Sequence, residues 1–219
     1  MNNLIIIGAD VSGMNIFEIV NDINKVEKEW KIISYFDEYS EDKELFDIPI
    51  SNSLDEICEN NSIKPENTYV ISAIGSPFNR ERLMINAKKT GFKLATIIHP
   101  TALISQHTSI GEGVIICQNC LVQPFAIIDN FVYIHTGCVI GPKVNIRSSV
   151  TINSLCAISA KVVIGEQSYI GVGTKIIQNV KIGKCIIAGG GSIITKDVES
   201  NVLVAGVPAK IKKENINGN

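Results

Sequence analysis

The sequence predicts two dissimilar parts: an α/β domain with a small parallel sheet and flanking helices over residues 1–97, then an all-β triangular solenoid over 98–196. Two observations carry this prediction. Strand-like and helix-like stretches alternate up to about residue 97, the pattern of a parallel sheet whose strands are joined by helices. From Ile98 onward every sixth position is apolar, through Ile104, Ile110, Ile116, Val122, Ile128 and Ile134 to Ile194, and the register never slips. Residues 197–219 leave that register and read as a cap and tail, with the last few residues expected to be disordered.

In the first part, Leu4–Ile7 is a buried-strand run that ends at Gly8. A helix follows from Gly13 to about Asn24, with Ile16, Ile19, Val20 and Ile23 at helical spacing. Lys31–Phe36 is the second strand, closed by the acids Asp37 and Glu38. Ser53 caps a short helix reaching Cys58. Thr68–Ile74 is the third strand, ending at Gly75, then Phe78–Lys89 is a polar amphipathic helix and Phe92–Ile98 the last strand.

A six-residue period suits neither a helix nor a simple strand. It suits a solenoid in which three short strands make a coil of about eighteen residues, each face sending one large aliphatic inward. Four places after each inward residue comes a small or apolar one, such as Ala102, Cys120, Ala126, Cys138 and Cys156. Glycine directly follows several inward positions (Gly111, Gly141, Gly165, Gly171, Gly183), and is read as marking sharp turns. Periodicity does not give the hand of the coil. Cys120, Cys138 and Cys156 lie one coil apart, so they form an inward ladder that fills space. The CxxC of Cys117 and Cys120 falls in the same place and is not read as a metal or redox site.

Composition bounds the function. The chain has 219 residues, 45% hydrophobic and 19% charged, enough to bury a sizeable core. A net charge of −2 without a long basic run argues against nucleic acid or an anionic membrane surface as the main partner. No run approaches the ~18 apolar residues of a membrane helix. MNNLIIIGAD lacks the basic start and cleavage site of a signal peptide. The six cysteines, without secretory context, are read as reduced thiols of a cytoplasmic protein.

The six-residue register, with the ending GGGSIITKDV…VLVAGVPAKIKK, resembles the hexapeptide-repeat acyltransferases that use acetyl-CoA. LIIIGADVSG, YFDE and ISAIG followed by NRERL resemble the N-terminal domain of bacterial nucleotide-sugar acetyltransferases. That group includes the UDP-4-amino-sugar and GDP-perosamine N-acetyltransferases and the sialic acid O-acetyltransferase relatives. The resemblance implies a left-handed parallel β-helix and a homotrimer. It implies acetyl-CoA as co-substrate in a groove between neighbouring β-helices, no metal, and an acceptor nucleotide on the N-terminal domain.

On that basis candidate residues follow. Gly8, Ser12 and Gly13 sit between a strand and a helix, where backbone N–H groups suit a phosphate; Asp10 and Val11 stand where such proteins often have glycine. The G-x4-G spacing is too short for a dinucleotide fingerprint, so NAD is not expected. Asp37 and Glu38 end a strand where an acid can hold a ribose or a base N–H. Ala73, Ile74 and Gly75 are expected to line the same pocket, with Arg80 approaching a phosphate.

Amide formation needs a neutral amine, a base for its proton and a donor for the oxyanion. In the resembling enzymes the base is a histidine followed by an acid. Those places fall on Pro142 and Lys143, and a further histidine that meets the CoA arm falls on Thr151. His135, stacked one coil from Asn153, is the candidate replacement base, with Asn153 beside the sugar; the alternatives are a surface imidazole, a sugar contact without proton transfer, or the departing CoA thiolate as the proton acceptor. Gly171, Gly173, Gly189 and Gly190 would let a pantetheine arm lie against backbone, and Lys210, with Lys212 and Lys213, could meet the CoA 3′-phosphate. The expected activity is acetyl transfer to the amine of a nucleotide-linked sugar, a UDP- or GDP-4-amino-4,6-dideoxyhexose. The rivals are an O-acetyltransferase of the sialic acid type and a nucleotide-sugar-binding protein that has lost catalysis.

Overall fold

The computed structural model describes residues 1–216; the end of the tail, 217–219, lies outside the described residues, as does the side chain of Asn61. The chain separates into two compact units. Met1–Gly75 and Asn79–Pro100 form the first, while Ser76–Phe78 group with the second, which begins at Thr101.

The first unit is built on strands β1 (Asn2–Ile7), β2 (Trp30–Phe36), β3 (Glu44–Leu45), β4 (Ile48–Ser51), β5 (Thr68–Ser72) and β6 (Lys93–Leu94), in the spatial order β3-β4-β2-β1-β5-β6. All pairs are parallel except β3 with β4. Helices α1 (Val11–Val26), α2 (Leu54–Asn61) and α3 (Pro77–Lys89) join them. Leu4, Ile5 and Ile6 are fully buried, as a strand covered on both faces requires. Asp10 caps α1 by accepting from the Ser12 N–H, and Ser53 caps α2 as expected.

The β3–β4 hairpin was not legible in the sequence. Its two-residue turn, Phe46-Asp47, has φ of 53° and 60° at positions where Asn-Gly is the usual signal. The Phe46 ring stacks on Phe17 of α1 at 4.2 Å between centroids. That contact offsets the left-handed backbone at a bulky residue.

In the second unit, two-residue strands recur every six residues and stack in three parallel ladders. One face carries the rungs at 103, 121, 139, 157, 175 and 193, and a second those at 109, 127, 145, 163 and 181. The third carries 115, 133, 151, 169 and 187, then passes into a hairpin of Leu203–Gly206 and Ala209–Lys213. This is the left-handed parallel β-helix. The second residue of each rung points inward: Ile134, Ile140, Ile146, Ile152, Ile164 and Ile170 have no exposed surface. Each such isoleucine contributes about 1.5–3 kcal/mol of burial.

The corner glycines have a different reason from the one the sequence suggested. The left-handed residue of each corner comes three places after the inward aliphatic, and most are not glycine: Asn119, Phe125, Phe131, Lys143, Ser149, Leu155, Lys161 and Gln167 all have φ between 56° and 62°. Each is the third residue of a tight turn that needs positive φ there. Gly141 and Gly171 instead keep neighbouring coils apart. A Cβ on Gly141 would sit 2.9 Å from Ile158 O, and one on Gly171 2.5 Å from Ala188 O.

Candidate functional site

In the first unit the strand order reverses between β1 and β5, and ligand clefts form at the carboxyl ends of strands at such a point. A cleft of about 190 Å³ lies there, lined by Gly8, Asp37, Glu38 and Ile74 among the expected residues. Tyr39, Asn79 and Arg82 also line it and were missed.

Asp37 is committed to the backbone. Its Oδ2 accepts from Ala9 N at 2.9 Å and its Oδ1 from Tyr39 N at 3.0 Å. It thereby ties the end of β2 to the Gly8-Ala9 turn. Glu38 points elsewhere, and its Oε2 accepts from an Arg82 guanidinium nitrogen at 2.8 Å. That hydrogen bond raises the Arg82 pKa above its ordinary value.

Several expected contacts are placed differently. Arg80 has no exposed surface, and one guanidinium nitrogen donates to Ile74 O at 2.8 Å and Gly75 O at 3.3 Å. It braces the lip of the cleft from beneath instead of meeting a phosphate. Residues two apart on a helix face different sides, so Arg82 is the one at the cleft; NRERL contained both, and only packing separates them. Gly13 is buried because a Cβ there would sit 2.3 Å from Gly8 O, a close helix–strand approach. The Ser12 N–H is taken by the Asp10 carboxylate at 3.0 Å, so neither Ser12 nor Gly13 lines the cleft. Ala73 is fully buried, and Gly75 does not line the cleft; its carbonyl accepts from Arg80.

In the second unit one corner column brings Cys117, His135, Asn153, Gly171 and Gly189 into register, each donating its N–H to the next coil. The His135 ring lies on the Tyr133 ring, centroids 4.0 Å apart and planes 16° apart. Tyr133 is fully buried, so it fixes the plane of the half-buried imidazole. One coil along, Asn153 Nδ2 donates to Ile170 O at 2.9 Å, and its Oδ1 accepts from the Tyr169 hydroxyl at 3.4 Å. The other two histidines are elsewhere. His99 is buried with Nε2 3.0 Å from Asp22 Oδ2, and His107 stacks on Phe125.

The cysteine ladder does more than fill space. Cys120, Cys138 and Cys156 donate to the carbonyls of His135, Asn153 and Gly171 at 3.1, 3.0 and 3.2 Å. Each thiol thus satisfies a corner carbonyl of the next coil, holding the column that carries His135. Burial pushes the Cys117 thiol up to about 12. All six cysteines are free, and among the described residues no group of metal-ligating side chains is present.

Thr151, expected to meet CoA, has no exposed surface and sits in the ladder between Tyr133 and Tyr169. Of the glycines, Gly171 is buried against Ala188 O, and a Cβ on Gly189 would meet Ala205 Cβ at 3.0 Å; those beyond them are more open. Open space surrounds the Cβ position of Gly191, Gly190 is exposed, and Gly173 has only Gly191 N at 4.0 Å. They leave a strip of bare backbone beyond Asn153. Lys210 lines a cleft of about 470 Å³ between the last coil and the hairpin, with Lys196, Asp197 and Pro208.

Residues 3–87 match the family of the PglD N-terminal domain. No curated protein matches the sequence. Among solved structures, PerB from Caulobacter crescentus, in complex with CoA and GDP-perosamine, superposes with a TM-score of 0.86 at 25% identity, covering 97% of this chain and 98% of that one. The acetyltransferase domain of PglB from Neisseria gonorrhoeae, in complex with acetyl coenzyme A, gives 0.86 at 27% identity, covering 96% of this chain and 100% of that one. WeeI from Acinetobacter baumannii gives 0.62 at 24% identity over 96% of this chain and 100% of that one, a likeness of fold. Residues 3–87 thus carry a PglD N-terminal domain, and with the left-handed β-helix that follows, the chain is similar over nearly its whole length to these sugar acetyltransferases.

Proposed function

We propose that this protein transfers the acetyl group of acetyl-CoA to the amine of a nucleotide-linked amino sugar. One observation carries the reading: the whole chain matches the PglB acetyltransferase domain, solved with acetyl coenzyme A, at 27% identity. PerB, solved with CoA and GDP-perosamine, supports an amino-sugar acceptor.

Acetyl-CoA supplies the activated acetyl group. The neutral amine nitrogen attacks the thioester carbonyl carbon, the C–S bond breaks and CoA leaves as thiolate. The amine proton passes to the His135 imidazole, whose plane Tyr133 holds. The thiolate then takes that proton from His135, directly or relayed through a water, restoring the neutral imidazole. Asn153, held by Ile170 O and Tyr169, is the sugar-side neighbour in this scheme. The cleft at Gly8, Glu38 and Ile74 takes the nucleotide, and the glycine strip at Gly173, Gly190 and Gly191 takes the pantetheine.

An amine needs less help from a base than a hydroxyl does. A site with Pro142 and Lys143 in place of a His-acid pair therefore suits amide formation over ester formation. The reading extends to a homotrimer, in keeping with exposed Leu103, Val139 and Leu155 on one side of the β-helix, 68%, 40% and 66% accessible. It extends also to the cytoplasm, where acetyl-CoA is made; no helix among the described residues is long and apolar enough to cross a membrane.

Free-thiol release from acetyl-CoA, measured with UDP-, GDP- and dTDP-linked 3-amino and 4-amino dideoxy sugars, tests the proposal. Turnover on one amino sugar with a base-stable product supports it. No release with any of them, or a product cleaved by mild base, overturns it. Sedimentation equilibrium tests the trimer.

A further inference from the structure

We infer that the cleft of the first unit reads a guanine, through Glu38 and Arg82, so that the acceptor is a GDP-linked sugar. This rests on the nucleotide reading of that cleft and adds which base it selects.

Two acids stand at the end of β2 and line the cleft, and Asp37 is the one more committed to the backbone. Both oxygens of Asp37 already accept backbone N–H groups, from Ala9 and Tyr39. Glu38 spends one oxygen on Arg82 at 2.8 Å, and both side chains line the cleft. The pair is partly open, with side chains 32% and 40% accessible, so an incoming base can reach it. The cleft wall thus presents a carboxylate with a guanidinium beside it.

Nucleobase edges differ in what they offer such a wall. Guanine alone presents two adjacent donors, N1–H and N2–H, which a carboxylate can accept as a parallel pair. Its O6 and N7 acceptors are the usual partners of an arginine fork. Uracil and thymine offer a single N3–H flanked by two carbonyl oxygens, so the second carboxylate oxygen faces a carbonyl. Adenine and cytosine place a ring-nitrogen acceptor beside the amino group, again opposite a carboxylate oxygen. Tyr39, 86% exposed at the same cleft, offers a ring for a base to stack on.

Calorimetric titration of the full chain with GDP, UDP, dTDP and ADP tests this without relying on catalysis. GDP is expected to bind at least about tenfold more tightly than the others, the worth of one charge-assisted hydrogen bond. Glu38→Gln turns one acceptor into a donor, so it is expected to abolish the GDP preference and raise the relative affinity for UDP. A merely structural role would lower all four affinities together. If that variant melts early, Glu38→Asp keeps the charge, shortens the reach, and is expected to narrow the GDP preference. Equal or tighter binding of UDP or dTDP, or a GDP preference unchanged in Glu38→Gln, overturns the base assignment; acetyl transfer to an amino sugar would then still stand. Absence of binding by any of the four, with no thiol release, removes both readings.

Discussion

The imidazole of His135 lies flat on the ring of Tyr133, 4.0 Å between centroids, and Tyr133 itself has no exposed surface. A buried ring fixed by its surroundings thereby sets the plane of a half-buried one. If His135 takes the amine proton, Tyr133 acts through it. His135→Ala is expected to lower kcat by about 10²–10⁴-fold. Tyr133→Leu is expected to lower kcat about tenfold where His135 is present and to add nothing in the His135→Ala background. Steady-state kinetics of the four proteins read this coupling, and additive losses would count against it.

Arg80 braces the cleft from beneath. Its replacement by methionine removes the buried donor that Ile74 O and Gly75 O share. The expected loss is about 2–3 kcal/mol of folding stability, read from urea denaturation. KM for the nucleotide sugar should rise with it, since Ile74 lines the cleft.

The two kinds of corner position should respond oppositely to mutation. Gly141→Ala drives a methyl to 2.9 Å from Ile158 O and Ala160 N, backbone that cannot move aside, and is expected to cost about 2 kcal/mol or more. Two residues on, exposed Lys143 has φ of 58°. Lys143→Gly relieves a left-handed strain of about 1 kcal/mol and loses nearly as much to the freer unfolded chain, so it is expected to be neutral to slightly stabilising. Thermal melts of the two variants should move apart.

A pH effect follows from Asp22. Hydrogen bonds from Lys25 and then His99 hold its carboxyl below the ordinary value of 3.8. A carboxyl depressed on folding stabilises the fold above its unfolded pKa, and that contribution is lost as pH falls through the lower folded value. Wild type should therefore exceed Asp22→Asn in stability at neutral pH. The gap should close below about pH 4, as followed by denaturant melts from pH 7 to 2.5.

Much of the first unit was readable because β1, α1 and β2 follow local rules: an apolar run, a 3.6-residue stripe, a second apolar run. The β3–β4 hairpin was not, because its turn is held by Phe46 stacking on Phe17, a contact with no local signature. The cleft was half legible. Gly8, Glu38 and Ile74 stand at strand ends, where sequence places them, while Arg82 and Asn79 come from the far side of a helix.

The sequence by itself determined the β-helix, its inward isoleucines and the thiol ladder, because a six-residue repeat admits one stacking and every coil restates it. Only the tertiary structure decided which like residue does what. Asp37 and Glu38 are neighbours of the same charge and both line the cleft, yet Ala9, 28 residues away, ties the first to the backbone while the second pairs with Arg82. Arg80 and Arg82 share a motif, but one turns into the core and the other out. The glycine after an inward aliphatic and the left-handed residue two places on look alike as turn signals. The distance to the next coil separates them, and that distance exists only once the coils have stacked.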